Sequence, residues 1–418
     1  MLSYKDCRTI LLKRLAEPAP CRIQLLVGPR QVGKTTLLLE LKKKFKNRAF
    51  YVAFDSPEAS LSGFWERFWQ NVEDKADSGK TLIVMIDEVQ VFPNWSVLLK
   101  AKWDYLIKNK QPIHIIATGS SSLQLSTASR ESLAGRFERL VLTHWMPSFF
   151  SKVFRLTPQK AVDLFIKLGA YPGAFRYIKD FPRWKAYVRD AIVEPAIGRD
   201  IMALAPIRRP ALLRQIFAIS IASPAQIISI QKIVGQLQDS GAIETVAYYL
   251  SLLEEAFLIA AIPKYSTKEI RMRASPPKII VLSNALMTAT DQTDPPESKS
   301  EPERFGTWVE NACLALAWNA GQKVRYWREE PYEVDGVIEG SWGKWAIEVK
   351  TGRVIPSDLR GLLEFNERFP AFRPLVLCEE TELKNIKNMH LQAMTWQQFL
   401  LKGPPGVSTT KGSLKNNL

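Results

Sequence analysis

Four short apolar runs in the first third of the chain end at or beside polar residues. They cover residues 23–27, 49–54, 81–86 and 113–117. Such runs, separated by segments of helical pattern, predict strands that alternate with helices in a parallel sheet covered on both faces. Because ligands of open α/β sheets bind at the carboxyl ends of the strands, we expect a site where these runs end.

The pattern becomes helical between about 155 and 275. We predict helices over 159–169, 184–204, 210–223, 230–238 and 243–255, and then a strand over 257–265. A helix, a glycine-containing turn at 239–241, a second helix and a strand in this order resemble a winged helix-turn-helix.

A third unit follows a polar segment rich in proline and serine at 291–304, which predicts a linker or mobile loop. In this unit we expect a helix over 305–320 and strands near 323–328, 332–338, 344–350 and 374–378. The last residues are polar and predict a disordered tail. The expected domains are therefore 1–150, 151–275 and 276–402, with the tail at 403–418.

The first apolar run leads into a glycine-rich loop made of Gly28, Pro29, Arg30, Gln31, Val32, Gly33, Lys34, Thr35 and Thr36. A strand, this loop and an apolar helix in succession are the context of a phosphate-binding loop. Gly28 and Gly33 let backbone N–H groups turn towards an anion. Lys34 would reach the β- and γ-phosphates of ATP, and Thr35 would bind Mg²⁺.

Acidic and hydroxyl residues follow two of the other runs. Asp87 and Glu88 have the Walker B arrangement, in which Asp87 holds Mg²⁺ through water and Glu88 polarises the attacking water. Ser120 follows the run at 113–117 and would sense hydrolysis between Glu88 and the γ-phosphate. The alternative for this serine is a simple helix N-cap within 120–122.

The chain has 418 residues and a net charge of +15. This charge favours a polyanionic partner, with DNA considered before RNA, although some proteins are basic without such a partner. The four cysteines and three histidines are scattered, so any metal should be a hard cation held by carboxylates and phosphates. No apolar run approaches a membrane span and the N-terminus lacks a signal peptide, so we expect a cytoplasmic protein without a membrane partner.

Several of these segments together resemble an AAA-type ATPase family of bacteria and archaea, whose members carry a C-terminal domain of unassigned function. The matching segments are 28–36, 86–90, 118–121, 133–136, 169–172, 326–328, 333–335 and 348–350. The resemblance implies an α/β protein with an AAA-type P-loop NTPase sheet, a helical middle region with a winged helix, and a C-terminal α/β domain like PD-(D/E)xK nucleases.

Arg136 matches a Gly-Arg position of this family. An arginine there could stabilise charge on the γ-phosphate, either within its own chain or from a neighbouring subunit of a homo-oligomer. Arg139 is close enough in sequence to compete for the role. The alternative is a surface arginine that neutralises nearby acids such as Glu131 and Glu138.

A second group of candidate residues lies near the C-terminus. Asp335, Glu348 and Lys350 fall on two predicted strands of one hairpin, and residues two apart on a strand share a face. If Asp335 faces the other two, and Glu310 of the preceding helix joins them, the group could bind Mg²⁺ and hold a water for attack on a phosphodiester. This is similar to the PD-(D/E)xK nuclease arrangement. The alternative is a solvated strand face. The sequence leaves open whether a nuclease-like domain of this kind still cleaves a phosphodiester.

Two basic clusters in the middle region could follow a DNA backbone. They are Lys264, Lys268, Arg271 and Arg273, and Arg208, Arg209 and Arg214. The second helix of the turn motif is poor in side chains that read base edges. We therefore expect either non-specific phosphate contacts or a purely structural winged helix.

These features predict an Mg²⁺-dependent ATPase that couples hydrolysis to a DNA-associated, nuclease-like module. The alternative is a nucleotide-gated binding or signalling protein whose C-terminal domain is a catalytically inactive platform for DNA or protein.

Overall fold

The computed structural model describes residues 1–76, 80–119, 133–202, 207–237, 243–268 and 275–407. The chain divides into two compact units, Met1–Thr143 and His144–Leu418, which we describe separately. Some sequence predictions lie outside the described part, namely Ser120, Glu131, Arg271, Arg273, the turn at 239–241 and residues 408–418 of the tail. No described helix is long and apolar enough to cross a bilayer.

A parallel sheet forms the centre of the first unit. Its described strands, β1 to β5, are Ile23–Val27, Ala49–Ala53, Leu82–Asp87, Ile113–Gly119 and Phe137–Val141. Their order is β2-β3-β4-β1-β5, and all neighbours pair in parallel. The four predicted strands are confirmed within two residues at each end. The prediction missed β5, because an edge strand that carries Glu138 and Arg139 lacks a continuous apolar run.

Four described helices accompany this sheet. They are α1 Tyr4–Arg14, α2 Lys34–Phe45, α3 Phe64–Ala76 and α4 Trp95–Lys108. Trp65, Trp69 and Trp95 are buried in one hydrophobic cluster with residues of the sheet, as their apolar sequence neighbours indicated. The strands β1, β3 and β4 are buried along their whole length, which explains why they appear in the sequence as unbroken apolar runs.

The second unit begins with a largely helical region. Its helices are α5 Pro147–Phe154, α6 Pro158–Leu168, α7 Phe181–Val188, α8 Pro210–Ala222, α9 Ile230–Gln236, α10 Ile243–Glu255 and α11 Asn284–Thr290. The strands β6 Gln226–Ile227, β7 Ile259–Ile262 and β8 Lys278–Val281 form an antiparallel sheet in the order β6-β8-β7.

The helix predicted over 184–204 is confirmed as far as Ile201, but it is not α-helical throughout. The α-helix ends at Val188, and two wider π-helical turns follow at Arg189–Val193 and Ala196–Ile201. Pro195 lies between these turns, and a proline inside a helix removes a hydrogen-bond donor and displaces the preceding turn.

The C-terminal part of the second unit combines a long helix with a mixed sheet. Its elements are α12 Pro302–Asn319, β9 Lys323–Glu329, β10 Tyr332–Gly340, β11 Gly343–Val349, α13 Arg360–Arg368, β12 Arg373–Cys378, α14 Leu383–Asn388, β13 Ala393–Thr395 and α15 Trp396–Lys402. The sheet order is β13-β12-β11-β10-β9. Strands β9, β10 and β11 pair antiparallel, whereas β11, β12 and β13 pair in parallel.

The predicted linker at 291–304 is shorter in the structure. Helix α12 begins at Pro302, because proline is well accommodated in the first turn of a helix. Arg304 donates to Asp291 over 2.7 Å and so joins the two ends of the segment.

Candidate functional site

The glycine-rich loop connects β1 to α2, and backbone packing explains its glycines. A Cβ atom at Gly28 would lie 1.9 Å from the carbonyl oxygen of Leu142. Gly33 has φ of 98°, which glycine adopts without strain, and it begins α2 without a side-chain cap from the described residues. Val32 is fully buried, which anchors the loop. A Cβ atom at Gly33 would lie 3.2 Å from the ring of Tyr4, so close packing and backbone conformation together favour glycine at both positions.

Lys34 places its ammonium group inside this loop. Its Nζ donates to the carbonyl oxygens of Gly28 and Pro29 over 2.9 and 2.7 Å, and the residue is only 6% exposed. The positive end of the α2 dipole lies at the same place, since Lys34 is the first residue of the helix. Ammonium, helix end and glycine cradle together fit a phosphate group.

Three neighbouring strands fix the carboxylate of Asp87 at the end of β3. Tyr51 on β2 donates its hydroxyl to Oδ2 over 3.0 Å, and the hydroxyl of Thr118 on β4 donates to Oδ1. Asp87 is 2% exposed. Burial and the neighbouring Asp87 raise the pKa of Tyr51 above its usual value, so this phenol remains a donor. The acid is thus held in a single orientation at the carboxyl edge of the sheet.

Glu88 follows Asp87 in an uncommon backbone conformation. Its φ is 51°, a left-handed value that non-glycine residues adopt mainly at strained, often functional, positions. Its N–H lies 3.3 Å from Thr118 Oγ1, and its carboxylate accepts a hydrogen bond from the side-chain amide of Gln90. The backbone turn therefore directs Glu88 away from the strand, and Gln90 holds it there.

Thr118, within β4, supports Asp87 and the backbone of Glu88, which differs from the sensor contact predicted for a polar residue at this strand end. Ser120 lies outside the described residues, so its sensor role stays a prediction. A search for the last hydroxyl within the strand, rather than the first one after it, would have found Thr118. Tyr51 and Gln90 had no recognisable signal, because a strand tyrosine and a loop glutamine are common.

Arg136 lies at the opposite end of the sheet from the loop. Its carbonyl oxygen accepts from the N–H of Ile23, the first residue of β1, whereas the loop follows the last residue. Five strand residues span about 15 Å, which exceeds the length of an arginine side chain. The guanidinium donates to Asp104 over 2.7 and 3.3 Å. Arg136 therefore cannot contact a phosphate in its own loop in this conformation.

The structure also places Glu138 and Arg139, the residues named in the alternatives to a catalytic Arg136. Glu138 accepts from Arg14 over 3.0 Å and lies 3.6 Å from Arg22, so the acid that Arg136 was expected to neutralise has other partners. Arg139 is exposed in the middle of β5, paired in register with Leu25. A catalytic role for either arginine stays a prediction.

The predicted residues near the C-terminus do converge. We call Glu310, Glu333, Asp335 and Glu348 the carboxylate cluster. Glu310 is on α12, Glu333 and Asp335 are on β10, and Glu348 is on β11. The β9–β10 pairing shifts register between Val334 and Val337, so Asp335 sits at an irregularity of the kind that re-aims side chains.

Two lysines contact this cluster. Lys350 Nζ lies 2.8 Å from Glu348 Oε1, as their shared strand face predicted. Lys278, which the sequence interpretation did not consider, lies 2.6 Å from Glu310, 3.5 Å from Glu333 and 3.7 Å from Asp335. No local signal could reveal Lys278, since it begins a short apolar strand far from its partners in sequence.

The cluster carries more negative charge than its lysines neutralise. Burial, reinforced by Asp335, raises the pKa of Glu310 to about 7 and that of Glu348 to about 8. Glu348 Oε2 is buried and accepts no hydrogen bond from a described residue. A proton on Glu348 at neutral pH relieves this unpaired charge.

The cluster as arranged does not fit a metal ion. Asp335 Oδ2 accepts from the N–H of Val349 over 2.8 Å, and its Oδ1 faces Lys278. Within the described ranges no three acidic, histidine or cysteine side chains are grouped so as to hold a metal. The predicted Glu310, Asp335, Glu348 and Lys350 are therefore together, and one oxygen of each of Glu310 and Glu348 and both oxygens of Asp335 face lysines or a backbone amide.

The predicted basic clusters are only partly described. Arg214 donates to Glu194 over 2.7 and 2.9 Å, so its charge is neutralised locally. Lys264 and Lys268 are partly or fully exposed after β7. A contact between these residues and DNA stays a prediction.

Comparisons with known families divide the chain into three parts. Residues 21–149 match the model described as an AAA domain. Residues 159–297 and 305–399 match two models that are each described as a domain of unknown function (DUF8612 and DUF4143). The chain therefore carries an AAA domain of the P-loop ATPase type, followed by two regions whose families have no assigned function.

Individual relatives are distant. An uncharacterized protein of Mycobacterium tuberculosis is 26% identical over 349 residues, which cover 81% of this chain and 72% of the relative. Among solved structures, Thermotoga maritima RuvB branch migration motor gives a TM-score of 0.33 at 16% identity, over 62% of this chain and 92% of that chain. AMPPCP-bound DnaA from Aquifex aeolicus gives 0.31 at 14%, over 59% and 86%. Overall likeness at this level carries no functional argument.

Proposed function

We propose that the first unit binds ATP with Mg²⁺ and hydrolyses it. The arrangement of Lys34 inside the glycine cradle, beside the first turn of α2, carries this proposal. Lys34 can transfer its hydrogen bonds from loop carbonyls to phosphate oxygens, and the backbone N–H groups at the start of α2 bind the same anion. The match to an AAA domain over 21–149 supports the assignment.

The strand ends supply the other residues that hydrolysis requires. Thr35 and Asp87 would hold Mg²⁺, which when bound neutralises charge on the phosphates. Glu88, turned away from β3 and held by Gln90, would orient the attacking water and accept its proton. Thr118 and Tyr51 keep Asp87 in position for this arrangement.

Arg136 would act on the nucleotide of a neighbouring subunit. Its position at the amino end of the sheet, away from its own loop, supports action between chains of a homo-oligomer. Arg136→Ala should then lower turnover while ATP affinity per chain is kept. Turnover per subunit should also rise with protein concentration in the wild type.

Steady-state ATP hydrolysis tests the assignment of the first unit. Asp87→Asn removes the buried strand-end carboxylate, whereas Asp74→Asn removes an exposed acid of α3 and serves as a matched control. We expect Mg²⁺-dependent turnover in the wild type and the control, and at least about 100-fold less in Asp87→Asn. Equal turnover in all three would contradict the proposal.

For the second unit we propose a nuclease-like fold that serves as a platform for DNA. A long helix, three antiparallel strands, a further helix and a parallel strand occur in that order, which supports a PD-(D/E)xK-like core. The net charge of +15 supports a nucleic-acid partner. The engaged oxygens of the carboxylate cluster favour binding over cleavage.

Fluorescence anisotropy with labelled duplexes tests the platform. Affinity for DNA should fall at least about tenfold between 50 and 200 mM salt if several phosphates are contacted. An RNA duplex of equal length shows which polymer is preferred. An absence of binding to both at low salt would remove the platform but leave the ATPase assignment intact.

A further inference from the structure

The ammonium group of Lys278 lies among acidic residues that belong to a different matched region of the sequence. It begins β8, which belongs to the stretch matched at 159–297, whereas the carboxylate cluster belongs to the stretch matched at 305–399. Its side chain is 2% exposed. A lysine is almost never buried to this degree unless its charge is paired, so the cluster accounts for the burial.

The ammonium group occupies the place where the carboxylates converge. Nζ lies 2.6 Å from Glu310 Oε1, 3.5 Å from Glu333 Oε1 and 3.7 Å from Asp335 Oδ1, and it donates to the Asp335 carbonyl oxygen over 3.3 Å. The contacts with Glu310 and with the Asp335 carbonyl are hydrogen bonds, and the two longer contacts are ion pairs without a hydrogen bond. A divalent cation that bound the same oxygens at about 2.1 Å would collide with Nζ and be repelled by its charge.

The strand that carries Lys278 is fastened to α12. Asn311 on α12, the residue after Glu310, accepts from the N–H of Val281 over 2.8 Å and donates to the Val281 carbonyl over 2.9 Å. Asn284 donates to the carbonyl of Trp308 over 3.1 Å. These buried bonds fasten the C-terminal end of β8 and the residues after it to α12, so the strand that carries Lys278 is held against the helix that carries Glu310.

We infer that Lys278 is a built-in cation that occupies the centre of the carboxylate cluster and excludes divalent metal ions from it. The lysine therefore stabilises three of the four acids, Glu310, Glu333 and Asp335, without a metal. It also keeps a divalent metal ion away from the carboxylates that could otherwise support metal-dependent cleavage. This inference goes beyond ATP hydrolysis by the first unit and does not depend on it.

Binding of Mn²⁺ to the full-length chain without nucleotide tests the inference, with free Mn²⁺ measured by electron paramagnetic resonance. Lys278→Met removes the ammonium but keeps most of the side-chain volume. We expect this variant to gain a site at least about tenfold tighter than any in the wild type. Adding Asp335→Asn should remove the new site. The matched control Lys387→Met, which removes an exposed lysine, should behave like the wild type.

Two results would overturn the inference. One is a Mn²⁺ site in the wild type that Asp335→Asn alone removes. The other is a folded Lys278→Met protein, judged by its circular dichroism and unfolding transition, that gains no site. If Lys278→Met does not fold, Mn²⁺ binding by the wild type is compared with Mn²⁺ binding by Asp335→Asn. Equal Mn²⁺ binding by these two proteins supports the exclusion of metal from the cluster. Weaker Mn²⁺ binding by Asp335→Asn contradicts it. Asparagine preserves the shape of Asp335 and can accept from Val349.

Discussion

Two buried lysines, one in each unit, show opposite uses of the same side chain. Lys34 is 6% exposed and donates to neutral carbonyl oxygens of its own loop, whereas Lys278 is 2% exposed and contacts three carboxylates. A donor held by neutral carbonyls gains charge attraction when a phosphate replaces them. A lysine among three carboxylates already has that attraction. The partners of a buried lysine, more than its burial, decide whether it can bind a ligand.

Removal of the second lysine should have the largest effect on stability. Lys278→Met leaves three carboxylates without their cation, and breaking a buried pair in this way costs about 3–5 kcal/mol. Denaturant unfolding of the second unit would measure the loss. Lys387→Met should change stability by no more than about 0.5 kcal/mol.

A companion variant sharpens this prediction. Adding Glu310→Gln to Lys278→Met removes one uncompensated charge and should recover part of the lost stability. Unchanged stability in Lys278→Met would mean that the ammonium does not hold the cluster together.

The next largest effect concerns hydrolysis in the first unit. Glu88→Gln keeps the size of the side chain but cannot accept a proton, so turnover should fall at least about 100-fold, or about 3 kcal/mol. ATP affinity should remain, because Glu88 acts on water and not on the phosphates. Glu66→Gln on α3 is a suitable control, and equal turnover in the two variants would contradict the assigned role.

A smaller effect is expected at the support of Asp87. Thr118→Val keeps the shape of the side chain and removes its hydroxyl donor, leaving a buried carboxylate oxygen less well paired. We expect a loss of about 1–2 kcal/mol in the stability of the first unit. The second unit should be unaffected, and thermal unfolding with a probe in each unit would separate the two.

The smallest effect is a dependence of stability on pH in the carboxylate cluster. The folded state raises the pKa of Glu310 to about 7 and that of Glu348 to about 8, with burial as the main cause and Asp335 as the next. The folded protein thus keeps protons that the unfolded chain releases above about pH 4.5. This contribution is fully present at low pH and is lost as the pH rises through 7 and 8. Lys278 and Lys350 stay charged throughout, because their pKa values are raised.

The window from about pH 6.5 to 8.5 lies above the range in which the buried His144 of the second unit titrates. Burial lowers the pKa of His144 to about 4, so its neutral form favours folding and its contribution is lost only below about pH 6.5. Across the window the melting temperature of the second unit should fall by a few degrees, and Glu348→Gln should reduce the fall. A melting temperature that rises with pH in the wild type would contradict the direction of the shift.

Sequence patterns predicted the glycine-rich loop around Lys34 better than the carboxylate cluster around Lys278. The strands at 23–27 and 81–86 are buried on both faces and so appear as unbroken apolar runs, and the P-loop residues are contiguous. The edge strand β5 escaped notice because its charged residues interrupt the run. Thr118 was noted only within the segment 118–121, because the sequence does not show which hydroxyl of that segment contacts Asp87.

The carboxylate cluster was predictable only in part. Strand alternation correctly placed Glu348 beside Lys350, and the hairpin brought Asp335 near. Lys278 could not be found, because it is 32 residues from Glu310 and 57 from Asp335 in sequence. Contacts of this range arise from the packing of β8 on α12, which no local pattern encodes.

Equilibrium binding of MgATP is the most direct test of the contrast between the two lysines. A fluorescent ATP analogue would be titrated into the wild type, Lys34→Met, Lys278→Met and Lys43→Met. The last variant is a control that removes an exposed lysine of α2, the helix that begins with Lys34. We predict that Lys34→Met weakens binding by at least about tenfold, while the other two stay within about twofold of the wild type. Equal affinity in Lys34→Met and the wild type would contradict the assignment of the loop as the nucleotide site.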